Sequence, residues 1–365
     1  MIVVVMLVFL MMTLLAFLVE DQHLLLRRIA NQNVAEQGYQ LGEGANAWAM
    51  RVLHADADRA VDSPLEDWAL LGQPIAPTSE QESARFTLQR DNSQDDREQP
   101  ASLDFGDAEV DIYITDLQGK YNLNNLARRE PKARAAQKTI FLNLLETIGI
   151  AEFEARELMY ASLYDWLDEN SEETPNGMES GAYASQPVPY YASDQPLSTL
   201  GELYYVNGFT RQIIADLSPF VTVLPEENAR ININATTPEV LASLSSTPIY
   251  DIGTVSAFLG IRGTPQFQGF GQGDISAAEN AIIGVSIVGQ QPPIAGMLSV
   301  SSSYYQINVK VQLDSSFYCM RTKVFRDPSG ANSELADATI ILEREYDSLC
   351  LKHEPPRPIS NDSIS

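Results

Sequence analysis

The first nineteen residues form an uninterrupted apolar run that limits what the rest of the chain can be. Met1–Val19 contains no charge, no proline and no glycine, and Thr13 is its only polar side chain. A helix of this length is roughly 28 Å long, which matches the hydrocarbon core of a bilayer. A secretory signal peptide has a basic segment before its apolar stretch and a small-residue cleavage site after it, whereas Glu20 and Asp21 follow here. The run therefore predicts a membrane anchor.

The helix is expected to continue beyond the anchor to about Ala55. Residues 20–55 contain no proline and are rich in strong helix formers. Apolar and small residues recur every three or four positions along one helix face, namely at Val34, Gly38, Leu41, Ala45, Trp48 and Val52. This stripe is predicted to pack against another surface.

The chain as a whole is strongly acidic. Its 49 Asp and Glu residues against 24 Lys and Arg residues give a formal net charge of −25. A surplus of this size repels the phosphates of nucleic acids and anionic lipid headgroups, so no nucleic-acid partner is expected. It favours divalent cations or basic proteins as partners.

Alternating patterns predict strands on both sides of a helical middle. Val110, Ile112 and Ile114 alternate with polar residues, as does the run from Tyr305 to Leu313. A helix is predicted from Pro131 to Ile148, with Gly149 as its C-cap. A sheet split in this way implies an α+β fold with a helical domain inserted between its strands. The predicted divisions are an apolar helix half 1–19, an amphipathic helix half 20–55, sheet domain 56–116, helical insert 117–295, C-terminal strands 296–350 and a disordered tail 351–365.

The densest group of oxygen ligands lies in DWLDENSEETPNGME, residues 165–179. Counted from Asp168, the positions of a calcium loop that need oxygen ligands are occupied by Asp168, Asn170, Glu172, Asn176 and Glu179. An EF-hand also has a glycine where Glu173 stands, and Pro187 and Pro189 break the helix that would leave the loop. The pattern predicts a calcium site without the EF-hand fold, and the alternative is a solvated acidic loop.

Residues 231–263 predict two short helices that resemble the start of a helix-hairpin-helix, a module that often binds the DNA backbone. Arg230 and Arg262 are the basic residues near it. This is too little positive charge for a DNA-binding surface, so a packing or protein-docking module is the favoured interpretation.

Signals for catalysis and for cross-links are few. The chain has no P-loop and no GxSxG motif, and no catalytic residue is assigned. Cys319 and Cys350 are its two cysteines. They either form a disulfide in an oxidising compartment or remain unpaired buried thiols.

Three motifs, in this order, resemble minor pseudopilin K of the type II secretion system. They are DLQGKYNLNNL (116–126), DWLDENSEETPNGMESGAYASQPVPYYASDQPLSTLGELYYVNGF (165–209) and LPEENARININATTPEVLASL (224–244). The resemblance covers about residues 1–350. It implies a pilin-like fold with a large inserted α-helical domain, structural calcium and no enzyme activity.

The resemblance also implies residues for the calcium site and for the N-terminus. The implied calcium ligands are Asp168, Asn170, Glu179 and Asp194, with Asp165 and Glu172 as additional ones. Met1 is expected to be the mature N-terminus, which a prepilin peptidase exposes and methylates, and a misassigned start codon is the alternative. Most pilin-type subunits carry Glu at mature position 5, where this chain has Val5.

The implied role is to cap the tip of a periplasmic pseudopilus. Partners are minor pseudopilins I and J, bound through the stripe residues Val34, Leu41, Ala45, Trp48 and Val52. Secreted substrates and the outer-membrane secretin are further expected contacts. The chain would cross the lipid of the bacterial inner membrane once, with its bulk in the periplasm.

Two other classes of function stay open at this point. A membrane-anchored periplasmic protein that binds a cation or a basic ligand predicts a stable monomer. A membrane-tethered DNA-uptake protein would use the helix-hairpin-helix resemblance, and the net charge of −25 argues against it.

Overall fold

The structure is a computed structural model that describes residues 1–56, 59–71, 108–245, 251–263, 269–271, 273–275, 296–313, 316–327, 339–347 and 350. The disordered tail predicted at 351–365 lies outside the described residues, as does most of the stretch from 57 to 107.

Helices and strands follow the predicted order. The helices are α1 (Ile2–Ala55), α2 (Asp67–Leu70), α3 (Pro131–Thr147), α4 (Phe153–Leu167), α5 (Ser180–Tyr183), α6 (Arg211–Leu217), α7 (Pro238–Ser243) and α8 (Ile252–Gly260). The strands are β1 (Glu109–Asp116), β2 (Tyr121–Asn122), β3 (Val221–Thr222), β4 (Ile231–Asn232), β5 (Leu298–Ser299), β6 (Tyr304–Leu313), β7 (Ser316–Phe325) and β8 (Ile340–Asp347). Short 3-10 turns cover Leu117–Gly119, Leu123–Ala127, Leu200–Tyr205 and Ile261–Gly263.

Helix α1 is continuous, as predicted, and only its last third is packed. Its buried residues begin at Gly38 and end at Leu53. Gly38 and Gly42 let the helix approach the sheet closely because they have no side chain. A Cβ on Gly42 would lie only 2.9 Å from Tyr318 Cε1. The apolar first half has the length and composition of a membrane span, and none of that stretch is buried against the rest of the described chain.

An antiparallel sheet with strand order β1-β6-β7-β8 carries the C-terminal part of α1 on one face. The inward side chains of α1 and the sheet form one hydrophobic core, together with Trp68 of α2. The alternation predicted in β1 and β6 is what places Ile112, Ile307 and Val309 in this core. This helix-on-sheet body confirms the predicted fold class.

A helical insert with its own core separates β1 from β6 in sequence. Helix α3 begins with Pro131 at its first turn, where a missing N–H costs nothing, and Gly149 follows it with φ +100°. The core of the insert extends from Tyr121 to Val300 and is distinct from the core under α1. The chain rejoins the sheet only at Tyr304.

The asparagine-rich motifs are structural. Asn122, Asn124 and Asn125 are almost fully buried, and each side chain bonds to a distant backbone. Asn124 Nδ2 donates to the carbonyl of Leu224 at 2.8 Å, and its Oδ1 accepts from the N–H of Leu197 at 2.8 Å. These amides satisfy backbone groups in loops that have no sheet partner, which explains why the motif needs Asn.

A buried polar network joins α1, the sheet and the insert. Arg326 is 2% exposed, and its guanidinium pairs with Asp56 at 2.7 Å and also with Asp62, whose side chain is fully buried. The same guanidinium donates to the carbonyl of Leu53 at 3.3 Å, close to the end of α1. The Tyr305 hydroxyl donates to Asp62 Oδ1 at 2.6 Å.

The network continues into the insert through Asp116, the last residue of β1. Its Oδ2 accepts from Ser302 Oγ at 2.6 Å and from Asn232 Nδ2 at 2.9 Å. Asn232 Nδ2 also donates to the Asp62 carbonyl at 3.0 Å. Buried hydrogen bonds therefore set the orientation of the insert relative to α1.

Cys319 and Cys350 form a disulfide, with their Cα atoms 5.3 Å apart. This chooses between the two possibilities that the sequence left open. The bond closes a loop that contains β8 and ties the end of the described chain to β7.

Replacing Cys319 and Cys350 together by serine is expected to lower the free energy of unfolding by about 3 kcal/mol, because the unfolded chain gains the entropy of an open loop. Urea unfolding of the full chain in detergent, followed by tryptophan fluorescence, measures this. The difference should disappear when both proteins are reduced. An equal midpoint under oxidising conditions would contradict the prediction.

Candidate functional site

The predicted calcium loop starts at the end of α4, which delivers two carboxylates to the same place. Asp165 and Asp168 are three residues apart and therefore lie on one face of the helix end. Asp165 is fully buried beside Trp166 and Leu167, and both of its oxygens accept from the N–H of Thr174 at 3.2 Å. The apolar packing of the helix thus holds Asp165 in position.

The loop turns back toward Asp165 at Asn176 and Gly177. Asn176 has φ +68°, a conformation that Asn tolerates better than most residues. A Cβ on Gly177 would lie 2.0 Å from Asp165 Oδ2. The glycine that this loop requires is therefore Gly177. An EF-hand loop would have its glycine four positions earlier, where Glu173 stands.

Two further carboxylates close the site. Glu179 caps α5 with Oε2, which accepts from the Ser180 N–H at 3.2 Å, while its Oε1 is buried without a hydrogen-bond donor. Asp194 has φ +51°, and its Oδ1 is also buried without a donor. Carboxylate oxygens that are buried and unpaired are costly unless a cation is near.

The carboxylates of the cluster repel one another. Burial, together with the charges of Asp165, Asp168 and Asp194, raises the pKa of Glu179 to about 6. Burial also raises the pKa values of Asp165 and Asp168. Among the described residues, the charged groups with the largest effects on Glu179 are three carboxylates, so a divalent cation would relieve their repulsion.

Asn170 and Glu172 lie outside this buried cluster. Both are exposed, and Asn170 Oδ1 already accepts from the Glu172 N–H at 2.7 Å. Asn170 also donates to Asp168 Oδ2 at 2.8 Å. Asp165, Asp168, Glu179 and Asp194 are near enough to act on one another electrostatically, and carboxylate oxygens suit calcium. Asn170 shapes the loop instead.

Without metal, the free energy of unfolding is expected to decrease as the pH rises from about 4.5 to about 6. The pKa of Glu179 is higher in the folded state than in the unfolded state, so folding takes up protons in this pH window. Above the window Glu179 is ionised in both states, and the full destabilisation is present. The expected loss is on the order of 1–2 kcal/mol. Urea midpoints in EGTA at several pH values measure it. Burial likewise raises the pKa of Asp116 to about 6, so Glu179→Gln should reduce the slope without removing it.

A second carboxylate cluster was not predicted. Asp56, Asp62 and Glu66 bring carboxylate oxygens within 4.8 Å of one another. The Arg326 guanidinium pairs with the two aspartates, and Glu66 accepts from the Trp68 indole N–H at 2.6 Å. A positive charge of the protein itself therefore occupies this cluster.

The stripe on α1 faces the protein's own sheet. Ala45 is 0% exposed and belongs to the core under α1, so its predicted contact with a partner is wrong. Leu41, Trp48 and Val52 are half-buried and pack against the same core. Val34 lies on the N-terminal side of the packed part of the helix and is half-buried. The periodicity indicated a packed face correctly, but most of its partner surface is intramolecular.

The two helices that resemble a helix-hairpin-helix pack in the core of the insert. Val240, Leu241 and Val255 of helices α7 and α8 belong to the core of the insert. Arg262 donates to the backbone carbonyl of Asn234 at 3.0 Å and is not presented to a ligand.

The chain is similar to known proteins of the type II secretion system. Residues 119–226 match the sequence profile of the family described as type II secretion system (T2SS), protein K. Type II secretion system protein K of Klebsiella pneumoniae is 30% identical over 217 residues, which is 59% of this chain and 58% of that protein. The protein of the same name from Pseudomonas aeruginosa is 28% identical over 254 residues, 69% of this chain and 68% of that protein.

The fold has a solved counterpart. A chain in the crystal structure of the GspK-GspI-GspJ complex from the enterotoxigenic Escherichia coli type 2 secretion system superposes with a TM-score of 0.61 and 18% identity, over 88% of this chain and 99% of that chain. The match to the Klebsiella protein spans less than two thirds of either chain. Together these matches confirm the resemblance to the protein K family that the motifs indicated.

Proposed function

Because residues 119–226 carry the protein K domain of type II secretion, we propose that this protein is a minor pseudopilin that caps the tip of the periplasmic pseudopilus. The observation that carries the proposal is the placement of this domain. It is inserted between β1 and β6 of a helix-on-sheet body, and its residues Asn232 and Val300 bond to Asp62, which follows the C-terminal end of α1.

The insert lies beyond the C-terminal end of α1. Asp62, which follows α1 closely, donates its N–H to the Val300 carbonyl at 2.8 Å and accepts through Oδ2 from the Ser302 N–H at 2.7 Å. A subunit stacked above this one would need the space that the insert fills. The insert therefore ends the helical stacking of subunits and leaves only the lower side for partners.

Minor pseudopilins I and J are the proposed partners on that lower side. The exposed part of α1 between Glu20 and Gln40 remains available to them, including Ile29, which is 44% exposed, and Val34. Val5 stands where a carboxylate would neutralise the terminal amine of a neighbouring subunit. An unpartnered carboxylate in lipid is costly, so its absence suits a terminal subunit.

The proposed location is the inner membrane, with the bulk of the chain in the periplasm. The apolar half of α1 would span the lipid, and the disulfide between Cys319 and Cys350 suits an oxidising compartment. The tip would start assembly, contact the secretin or secreted proteins and hold calcium as a structural ion, with no enzymatic role.

Co-purification of the full chain with full-length minor pseudopilins I and J in nonionic detergent, in calcium and in EGTA, tests the proposal. A 1:1:1 complex is expected. Ile29→Asp and Val34→Asp should weaken it, whereas Gln32→Glu on the same exposed helix should not. A monomer under all conditions would refute the tip role and favour an anchored periplasmic binding protein.

A further inference from the structure

The insert carries an unusual concentration of exposed apolar side chains. Among the described residues outside α1, the four most exposed large apolar side chains are Val188, Tyr191, Tyr205 and Tyr204, at 77%, 73%, 58% and 56%. We call these four residues the tyrosine patch. They come from two short segments, 187–191 and 200–205, that meet in space. Grouped exposed apolar side chains on a soluble domain mark an interaction surface.

The patch stands on a packed aromatic base. The hydroxyl of Tyr190 donates to the carbonyl of Tyr205 at 2.9 Å, and the two rings are 5.9 Å apart, edge to face. The ring centroid of Tyr190 lies 5.0 Å from that of Tyr183, and the Tyr183 centroid lies 5.6 Å from that of Trp166 in the core. This base fixes both segments, so the rings above them are presented to solvent at little further entropic cost.

The stretch of chain that carries the patch is acidic. From Glu157 to Thr210 the sequence has nine Asp and Glu residues and no Lys, Arg or His. Asp165, Asp168, Glu179 and Asp194 form the carboxylate cluster, of which the first and third are buried, and a divalent cation would only partly neutralise it. Glu202 precedes Tyr204 by two positions in the second segment, and Glu169, Glu172 and Glu173 are exposed. Only Glu157 and Glu169 have a basic partner among the described residues of this stretch, namely Lys138 and Arg129.

We propose that the tyrosine patch is a docking surface for an arginine- or lysine-rich segment of a partner protein. The faces of tyrosine rings attract guanidinium and ammonium groups, and the surrounding carboxylates add long-range attraction for the same charges. Phosphate-bearing partners and anionic membranes are repelled by those carboxylates. The proposal does not depend on the assembly role, since it concerns the surface of the single chain.

The test is fluorescence anisotropy of a labelled arginine–glycine repeat peptide with the full chain in nonionic detergent. The double variant Tyr191→Ser with Tyr204→Ser leaves the net charge unchanged, so any loss of affinity comes from the rings. Two lost cation–π contacts predict about tenfold weaker binding. The matched control is Phe153→Ser, an aromatic side chain of the insert that is 55% exposed outside the patch.

Two further arms make the result decisive. Tyr191→Trp and Tyr204→Trp should bind the peptide at least as tightly as the parent, because indole is the better cation–π partner. A glutamate–glycine repeat should not bind. Equal affinity of the double serine variant and the Phe153→Ser control would overturn the proposal, as would weaker binding by the correctly folded tryptophan variants.

Discussion

Arg326→Ala is expected to lower the free energy of unfolding by about 3–5 kcal/mol, which is a large part of the stability of a typical domain. Arg326 is the positive charge that compensates the buried carboxylate of Asp62 and the neighbouring Asp56. Its removal leaves the fully buried carboxylate of Asp62 without its ion-pair partner. The guanidinium also lies 4.8 Å from the Tyr305 ring, and this packing is lost as well.

Urea unfolding of the full chain in detergent measures this effect, and Arg344→Ala is its matched control. Arg344 forms an ion pair of the same length with Glu43, 2.7 Å, but both side chains are about one quarter exposed. That pair is expected to contribute at most about 1 kcal/mol. Similar losses for the two variants would contradict the assignment of Arg326 as the compensating charge.

The penalty in Arg326→Ala should also depend on pH. Burial raises the pKa of Asp62, and the charge of Arg326 acts against this rise. Without the arginine the pKa rises further, so the carboxyl group can become neutral as the pH falls. The difference from the parent protein should therefore shrink at acid pH, and Asp62→Asn in the Arg326→Ala background should recover part of the lost stability.

Calcium is expected to stabilise the protein by about 4 kcal/mol when its concentration is a thousand times the dissociation constant. The reason is that the four clustered carboxylates repel one another in the folded state, and two of their oxygens have no donor. Thermal unfolding in calcium and in EGTA measures the shift. Equal midpoints in the two buffers would mean that the loop is a solvated acidic loop after all.

Gly177→Ala should remove most of this calcium effect, because its Cβ would collide with the Asp165 carboxylate. Gly181→Ala is the matched control: it lies in the same segment, and a Cβ there meets nothing within 4 Å. The control should keep the full shift. Equal calcium shifts in both variants would show that Asp165 is not a ligand.

Local patterns predicted the elements of this fold because each element is specified by neighbouring residues. The apolar run and its continuation predicted α1, and the alternation from Tyr305 to Leu313 predicted β6. Pro131 and Gly149 marked the ends of α3. These signals depend on spacing within a few residues, which the sequence displays directly.

Long-range contacts could not be predicted in the same way. The stripe through Ala45 showed that one face of α1 is packed, but periodicity does not reveal whether the partner is the same chain or another subunit. Arg326 has no local signal at all, since Asp56, Asp62 and Tyr305 meet it only in the folded chain. The metal ligands implied by resemblance remain predictions, and the structure adds the steric role of Gly177.

The sheet register has a consequence for how such a chain can be built. Asp116 at the end of β1 lies opposite Tyr305 near the start of β6, so the chain leaves and re-enters the body at adjacent points of a regular ladder. In topological terms the whole insert is the loop of a β-hairpin. A gene can lengthen, shorten or exchange that loop without changing strand order, since a two-residue turn would join the same strands. The helix-on-sheet body and the insert can therefore change in sequence at different rates.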